Sequence, residues 1–134
     1  MSGSVTAKTL RTDLILTASY VAATHLSVNS KDQAVFYFTY DPAEIGAVLE
    51  WKFSFNNDDG TGTFFDETVE SVDTATGLST RVAKTHQFVS LGTVETNFEV
   101  AIPVAENFVK LEVKETSTLK GDLALAGIAN VIGP

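Results

Sequence analysis

Cysteine is absent from this 134-residue chain. That excludes a disulfide framework, a thiolate zinc site and a cysteine nucleophile. Long apolar runs are absent too. None approaches the roughly 18 residues that a membrane-spanning helix needs. The opening run MSGSVTAKTLRTD lacks a basic region followed by an apolar core. It reads as a short flexible arm over residues 1–12 and not as a signal peptide. Cations are scarce: nine Lys and Arg stand against 17 Asp and Glu, a net charge of -8. They are scattered from Lys8 to Lys120 without a cluster. A nucleic-acid backbone would be repelled by that field. Neither a nucleic acid nor a membrane is expected as a partner. Acid concentrates between Asp41 and Asp73, where Lys52 is the lone cation. Such a stretch suits a solvated surface, or a face that binds cations or basic proteins.

The motifs of common chemistries are missing as well. No G-x-S-x-G elbow supports a hydrolase triad. No G-x-G-x-x-G and no P-loop offers a phosphate cradle. His25 and His86 are isolated, in no two-histidine metal spacing, and read as strand surface residues. No enzymatic activity and no cofactor are expected.

What is present is alternation. In VLEWKFSFN, Leu49, Trp51, Phe53 and Phe55 share one face, and Glu50, Lys52, Ser54 and Asn56 the other. NFEVAIPV alternates Phe98, Val100, Ile102 and Val104 with Asn97, Glu99, Ala101 and Pro103. FVKLEVKET alternates Val109, Leu111 and Val113 with Lys110, Glu112 and Lys114. Successive side chains of a strand point to opposite faces, so each run predicts a strand with one wet face. VFYFTY is apolar on both faces and predicts a central strand covered on both sides. GDLALAGIANVI reads as a last strand, its small residues fitted for close packing against a neighbour, including another subunit. Pro103 cannot donate a ladder hydrogen bond, which places its strand at an edge or a bulge. Turn signals fall between the runs at YDP, NDDG, TATG, LGT, AEN and LKGD. The pattern predicts an all-β chain, an antiparallel β-sandwich of jelly-roll or immunoglobulin-like type, over residues 13–134.

The run NNDDGTGTFFDE, residues 56–67, has the composition of a calcium loop. With Gly60 at the sixth position of an EF-hand loop, Asn57, Asp59 and Asp66 fall on ligand positions. Phe55 then falls on the first, and carries no ligand oxygen. The flanking runs are strands and not helices. Asp58, Asp59 and Asp66 are the candidates left for a metal, and none is expected. A turn at Asp59-Gly60, joining VLEWKFSF to TFFDETV, accounts for the run. Asp66, Glu67 and Glu70 read as a solvated strand edge and not as a paired-carboxylate centre. Trp51 reads as core. Tyr37, Tyr40 and Phe64 are the aromatics available for stacking, although strand aromatics usually pack.

The order AKTLRTDLILTASYVAATHLSV, VFYFTYDP, VLEWKFSFNNDDGTGTFFDETVES and NFEVAIPVAENFVKLEVKETSTLKGDLALAGIANV resembles small virion structural proteins of tailed bacteriophages. The resemblance rests on strand order and turn placement over most of the chain. It implies a capsid decoration, cement or head-associated role in the virion, with the chain made in the host bacterial cytoplasm. It also implies a homo-oligomer, commonly a trimer, contacting the major capsid protein or other virion proteins. The contact elements expected are the arm, Ser2 to Thr12, and the tail, Leu123 to Ile132. Their contact residues would be Thr9, Leu10, Leu123, Leu125, Ile128 and Val131. A shorter stretch, ENFVKLEVKE, is similar to the late strand pair of galactose-binding-like modules. It implies the alternative of a glycan-binding adhesin in a phage tail or fibre.

Overall fold

The computed structural model describes residues 7–131. Among them there is no helix, and so none long and apolar enough to cross a membrane. The strands are β1 (Lys8–Ile15), β2 (Val21–Ala22), β3 (Leu26–Ser27), β4 (Gln33–Asp41), β5 (Val48–Asn56) and β6 (Phe65–Asp66). They continue with β7 (Thr68–Val72), β8 (Ser79–Ala83), β9 (His86–Val89), β10 (Thr96–Pro103), β11 (Phe108–Thr116) and β12 (Asp122–Asn130).

Two antiparallel sheets form the body. One runs β1-β12-β4-β10. The other runs β2-β11-β5-β6, with β3 also on β11 and β9 also on β5. β2 and β3 lie along successive parts of β11 and act as one interrupted strand. β6 and β9 do the same along β5. Counted so, and with β7 and β8 set aside because they pair only with each other, one sheet holds the first, eighth, third and sixth strands and the other the second, seventh, fourth and fifth. This is the jelly-roll order, and it decides between the two sandwich types expected.

The core lies between the sheets. β4 contributes Phe36, Phe38 and Tyr40, β5 Leu49, Trp51 and Phe53, β11 Val109, Leu111 and Val113, and β12 Leu123 and Leu125. Aromatic contacts bridge the layers, Phe36 to Phe53 at 5.4 Å and Phe38 to Trp51 at 4.8 Å between ring centroids. The alternating runs behave as their pattern predicts. In β11 the valines and leucine are buried while Lys110, Glu112 and Lys114 reach the surface.

Three expectations need correction. The N-terminal arm is not an arm from Lys8 onward: β1 pairs with β12, so the domain begins before residue 13. Residues 1–6 of that arm lie outside the described residues. β4 is central within its sheet but covered on one side only, since Tyr37 is 41% exposed on the other. The turn after β5 is wider than an Asp-Gly hairpin. It spans 57–64, and the Asn56 side chain organises it, accepting from the N–H groups of Asp58 and Gly60 at 2.8 and 3.2 Å. Gly60 does take a positive φ, +87°. Pro103 lies on β10, an edge strand, as expected.

Candidate functional site: an uncharged sheet face and a projecting hairpin

The two outer faces of the sandwich differ in chemistry. Outside the β11–β5 sheet lies a lattice of charge. Lys114 pairs with Glu50 at 3.4 Å, Lys52 with Asp66 at 3.5 Å and with Glu112 at 3.8 Å, and Lys110 with Glu112 at 3.7 Å. The Tyr20 ring lies between Lys52 and Lys114, 4.8 and 4.7 Å from their ammonium nitrogens. Its hydroxyl donates to Glu50, and the Gln87 amide donates to the same carboxylate at 3.0 Å. Burial pushes the Glu50 pKa up, but the Tyr20, Gln87 and Lys114 contacts outweigh it and hold it below the ordinary value. Burial and the Glu50 contact push the Tyr20 phenol up. This face is solvated and internally paired.

The outer face of the β1-β12-β4-β10 sheet is the opposite. Alternation puts Leu123, Leu125 and Gly127 of β12 into the core, so Ala124, Ala126 and Ile128 point outward. Opposite them in register stand Thr39, Tyr37 and Val35 of β4. Ala101 of β10 stands opposite Val35 on the other side. The middle of the two central strands on this face therefore carries no charge, with small residues on β12 beside Tyr37 of β4. Val35 is buried although it belongs to no part of the core cluster. Acid sits at the rim, with Glu99 on edge strand β10 and the paired Asp41 and Asp122 at one end. At the β1 edge, Arg11 folds back onto backbone. It donates to the carbonyls of Leu123, Leu14 and Ile15 at 3.0, 3.1 and 3.2 Å. Burial lowers its pKa, with Asp13 and Asp122 acting in the other direction. A shallow groove of about 340 Å³ runs past Arg11, Asp13, Tyr37, Thr39, Ala124 and Ala126.

The second feature is the β7–β8 hairpin. It interrupts the edge strand made by β6 and β9. The Glu67 N–H donates to the Phe53 carbonyl, and the Lys84 N–H donates to the Glu67 carbonyl at 2.8 Å. The chain thus leaves the edge at Glu67 and returns beside it at Lys84. Between these points β7 and β8 pair with each other, in a sheet of their own. Val69 stands opposite Val82 and Ser71 opposite Thr80, and alternation continues that face to Leu78. Val69, Val82 and Leu78 are 39%, 45% and 67% exposed. The other face carries Glu70 opposite Arg81, and Val72, 55% exposed, opposite Ser79. Ser79 donates to Glu70 and the Arg81 guanidinium donates to Thr68 there. At one end of the sandwich, Ile45, Leu91 and Leu119 are exposed on loops tied together by Glu44, which accepts from Ser90 and from the Thr118 and Leu119 N–H groups.

The structure disperses the metal candidates. Asp59 accepts from Thr61 within its own turn, which holds its pKa below the ordinary value. Asp66 pairs with Lys52, and Asp58 gives its carbonyl to Asn107. Among the described residues no group of His, Asp and Glu is placed to hold a metal ion. Glu67 meets His86 at 3.3 Å and Glu70 meets Ser79, so the three carboxylates 66, 67 and 70 are engaged separately. His86 is stacked on Trp51 at 5.8 Å, and His25 lies edge-on to Phe108 at 5.1 Å, so both are packed more than a strand surface requires. Trp51 and Tyr40 are core. Phe64 is capped by Lys110 at 4.6 Å, while Tyr37 is open on the uncharged face.

The expected contact residues divide. Leu10, Leu123 and Leu125 are buried in the chain's own core, Leu125 to 2% exposure, and cannot face another subunit. β12 lies between β1 and β4, so it has no free edge to add to a neighbour. Gly127 marks internal packing: a Cβ there would come within 2.8 Å of Leu10 Cδ1. Thr9 and Ile128 do lie on the outer face of the β1-β12-β4-β10 sheet, and Val131 is exposed just past β12. Ile132 lies outside the described residues. Ala124 and Ala126 were readable from the alternation once the leucines are assigned inward. Val69, Leu78 and Val82 carried only a turn signal, TATG, between two short β-branched runs.

No family model, no curated protein and no solved structure matches this chain.

Proposed function

We propose that the chain is a non-enzymatic structural protein of a tailed-bacteriophage virion, of the capsid-decoration or head-associated kind, working through contacts with other protein chains. The observation that carries this reading is the outer face of the β1-β12-β4-β10 sheet, where Val35, Tyr37 and Thr39 of β4 and Ala124, Ala126 and Ile128 of β12 carry no charge, in a chain of net charge -8. The jelly roll hosts viral capsid and lectin domains among others, so fold alone does not choose the function. A standard specific interface buries about 1,600 Å² in total. Repeated copies on a particle would add avidity to weak single contacts. The test is quantitative peptide mass spectrometry on purified particles, with copy number set against the major capsid protein. A copy number comparable with the capsid protein supports decoration. A handful of copies moves the chain to the portal or tail, and absence removes the virion reading.

A second reading, a glycan-binding module of a tail or fibre, draws on one observation. Tyr37 is open beside Asn97 and Glu99 in a shallow depression on the same face. Binding on a glycan array that is lost in Tyr37→Ala would favour it.

A further inference from the structure

We propose that the outer face of the β1-β12-β4-β10 sheet binds an uncharged oligosaccharide laid across the strands. Tyr37 stacks against one sugar ring, and the depressions on its two sides hold the neighbouring rings. The proposal rests on the glycan-binding reading above, and adds the class of glycan and its direction on the sheet.

Tyr37 divides two depressions. On one side, β4 and edge strand β10 line a hollow of about 420 Å³ with Tyr37, Thr39, Asn97 and Glu99. On the other, β4, β12 and β1 line the groove of about 340 Å³ that holds Arg11, Asp13, Ala124 and Ala126. The register explains this shape. Tyr37 stands between Glu99 and Ala126, and Thr39 between Asn97 and Ala124. The alanines are too short to cover the Tyr37 ring, which stays exposed. The line from one depression through Tyr37 to the other crosses the strands. Four strands about 4.8 Å apart give it a length of roughly 14 Å, room for a short run of sugar rings.

The polar groups along that line are unspent. Among the described residues, the side chains of Tyr37, Thr39, Asn97 and Glu99 make no hydrogen bond, ion pair or ring contact. The other outer face differs. There Glu50 alone accepts from Tyr20 and Gln87 and pairs with Lys114. A sugar has an apolar C–H face and a rim of hydroxyls that donate and accept. An exposed aromatic ring beside a free hydroxyl, amide and carboxylate complements both.

Charge selects among glycans. Among the described residues, Arg11 is the one cation that lines either depression, and its guanidinium is committed to the Leu123, Leu14 and Ile15 carbonyls. Glu99 and Asp13 stand on the two edge strands, at opposite ends of the line. An acidic sugar would meet those carboxylates in a chain of net charge -8. A neutral ring meets no such repulsion. A quaternary cation would suit the carboxylates, but one ring beside alanines forms no cage around it.

The test is titration of the isotope-labelled full chain, followed by amide NMR. Maltohexaose, cellohexaose, mannohexaose and galactohexaose are the neutral probes. A galacturonic-acid hexasaccharide and choline are the charged ones. At least one neutral probe should shift the amide signals of Tyr37, Thr39, Asn97, Glu99 and Ala126 together, and leave those of β11 in place. Tyr37→Ala should lose about tenfold or more in affinity for that probe, with an unchanged far-UV circular dichroism spectrum. Tyr37→Phe keeps the ring and should lose less. Gln87→Ala, on the opposite sheet face, should bind as the parent does. Shifts confined to other surfaces would overturn the sheet-face site and leave the glycan-binding reading standing. Shifts at Tyr37 with a charged probe, and none with the neutral ones, would overturn the choice of an uncharged glycan. Silence from every probe would overturn the proposal, and a positive glycan array would then keep the glycan-binding reading alone.

Discussion

The Tyr40 hydroxyl on β4 donates to the Glu115 carboxylate on β11, joining the two sheets at a side chain with no solvent exposure. Ser117 Oγ and the Gly121 N–H donate to the other oxygen of that carboxylate, at 2.7 and 2.9 Å. A buried carboxylate is tolerable only when donors replace water. Burial and this bond push the Tyr40 phenol up, so it stays a donor at any ordinary pH. Glu115 also shapes the 117–121 connection into β12, because two of its donors come from that loop.

Tyr40→Phe keeps the ring in the core and removes the inter-sheet donor. A hydrogen bond to a charged group contributes about 1.5–3 kcal/mol. The variant should lose roughly that much stability in urea unfolding, with little change in m-value. An unchanged midpoint would mean that Ser117 and Gly121 suffice.

Gly121→Ala should be costly for a different reason. A Cβ at Gly121 would stand 2.4 Å from the Asp41 carbonyl oxygen and 2.9 Å from Pro42 Cα. Both are backbone atoms that cannot swing aside. Overpacking of this kind costs about 1–3 kcal/mol or more. Thermal unfolding of the variant should show a clearly lowered Tm, whereas Gly92→Ala, where a Cβ meets nothing within 4 Å, should not.

Acid stability should depend on Tyr20. Glu50 has a depressed pKa in the folded chain, so its contribution is present above the unfolded value near 4.3 and fades as pH falls through the folded one. Tyr20→Phe removes the leading contact that lowers it, so the folded pKa rises, with only Gln87 and Lys114 left to oppose burial. The acid-unfolding midpoint of the variant should move to higher pH, while stability at pH 7 changes less. Equal acid midpoints for the two proteins would show that Gln87 and Lys114 hold Glu50 without Tyr20.

Removal of the hairpin should leave the sandwich intact. The ends of the excursion, Glu67 and Lys84, are already hydrogen-bonded neighbours. Residues 68–83 replaced by a Gly-Gly link should fold with a stability within about 1 kcal/mol of the parent, as expected for a change outside the core. A variant that fails to fold would show that the hairpin supports its own edge strand. A C-terminal truncation at Asp122 is no substitute for this test, because it removes a central strand and two core leucines.

The sequence by itself determined the strands and the core side of most of them. Alternation is local, and one polar face against one apolar face leaves a strand such as β11 a single way to lie. It also determined that the turn after β5 holds no EF-hand, because Phe55 has no ligand oxygen to offer. The tertiary structure decided what depends on which strand lies beside which. The jelly-roll order comes from pairings between distant segments, such as β1 with β12, and no local period encodes those. For the same reason Leu123 and Leu125 turned out to be core residues, and the alanines between them the open surface. Tyr37 looked buried within an apolar run, yet its outer side meets no second layer. The hairpin was least visible of all. Its two strands are short and their valines are ordinary, and only the closure of Glu67 against Lys84 shows that the chain steps out of the sheet between them.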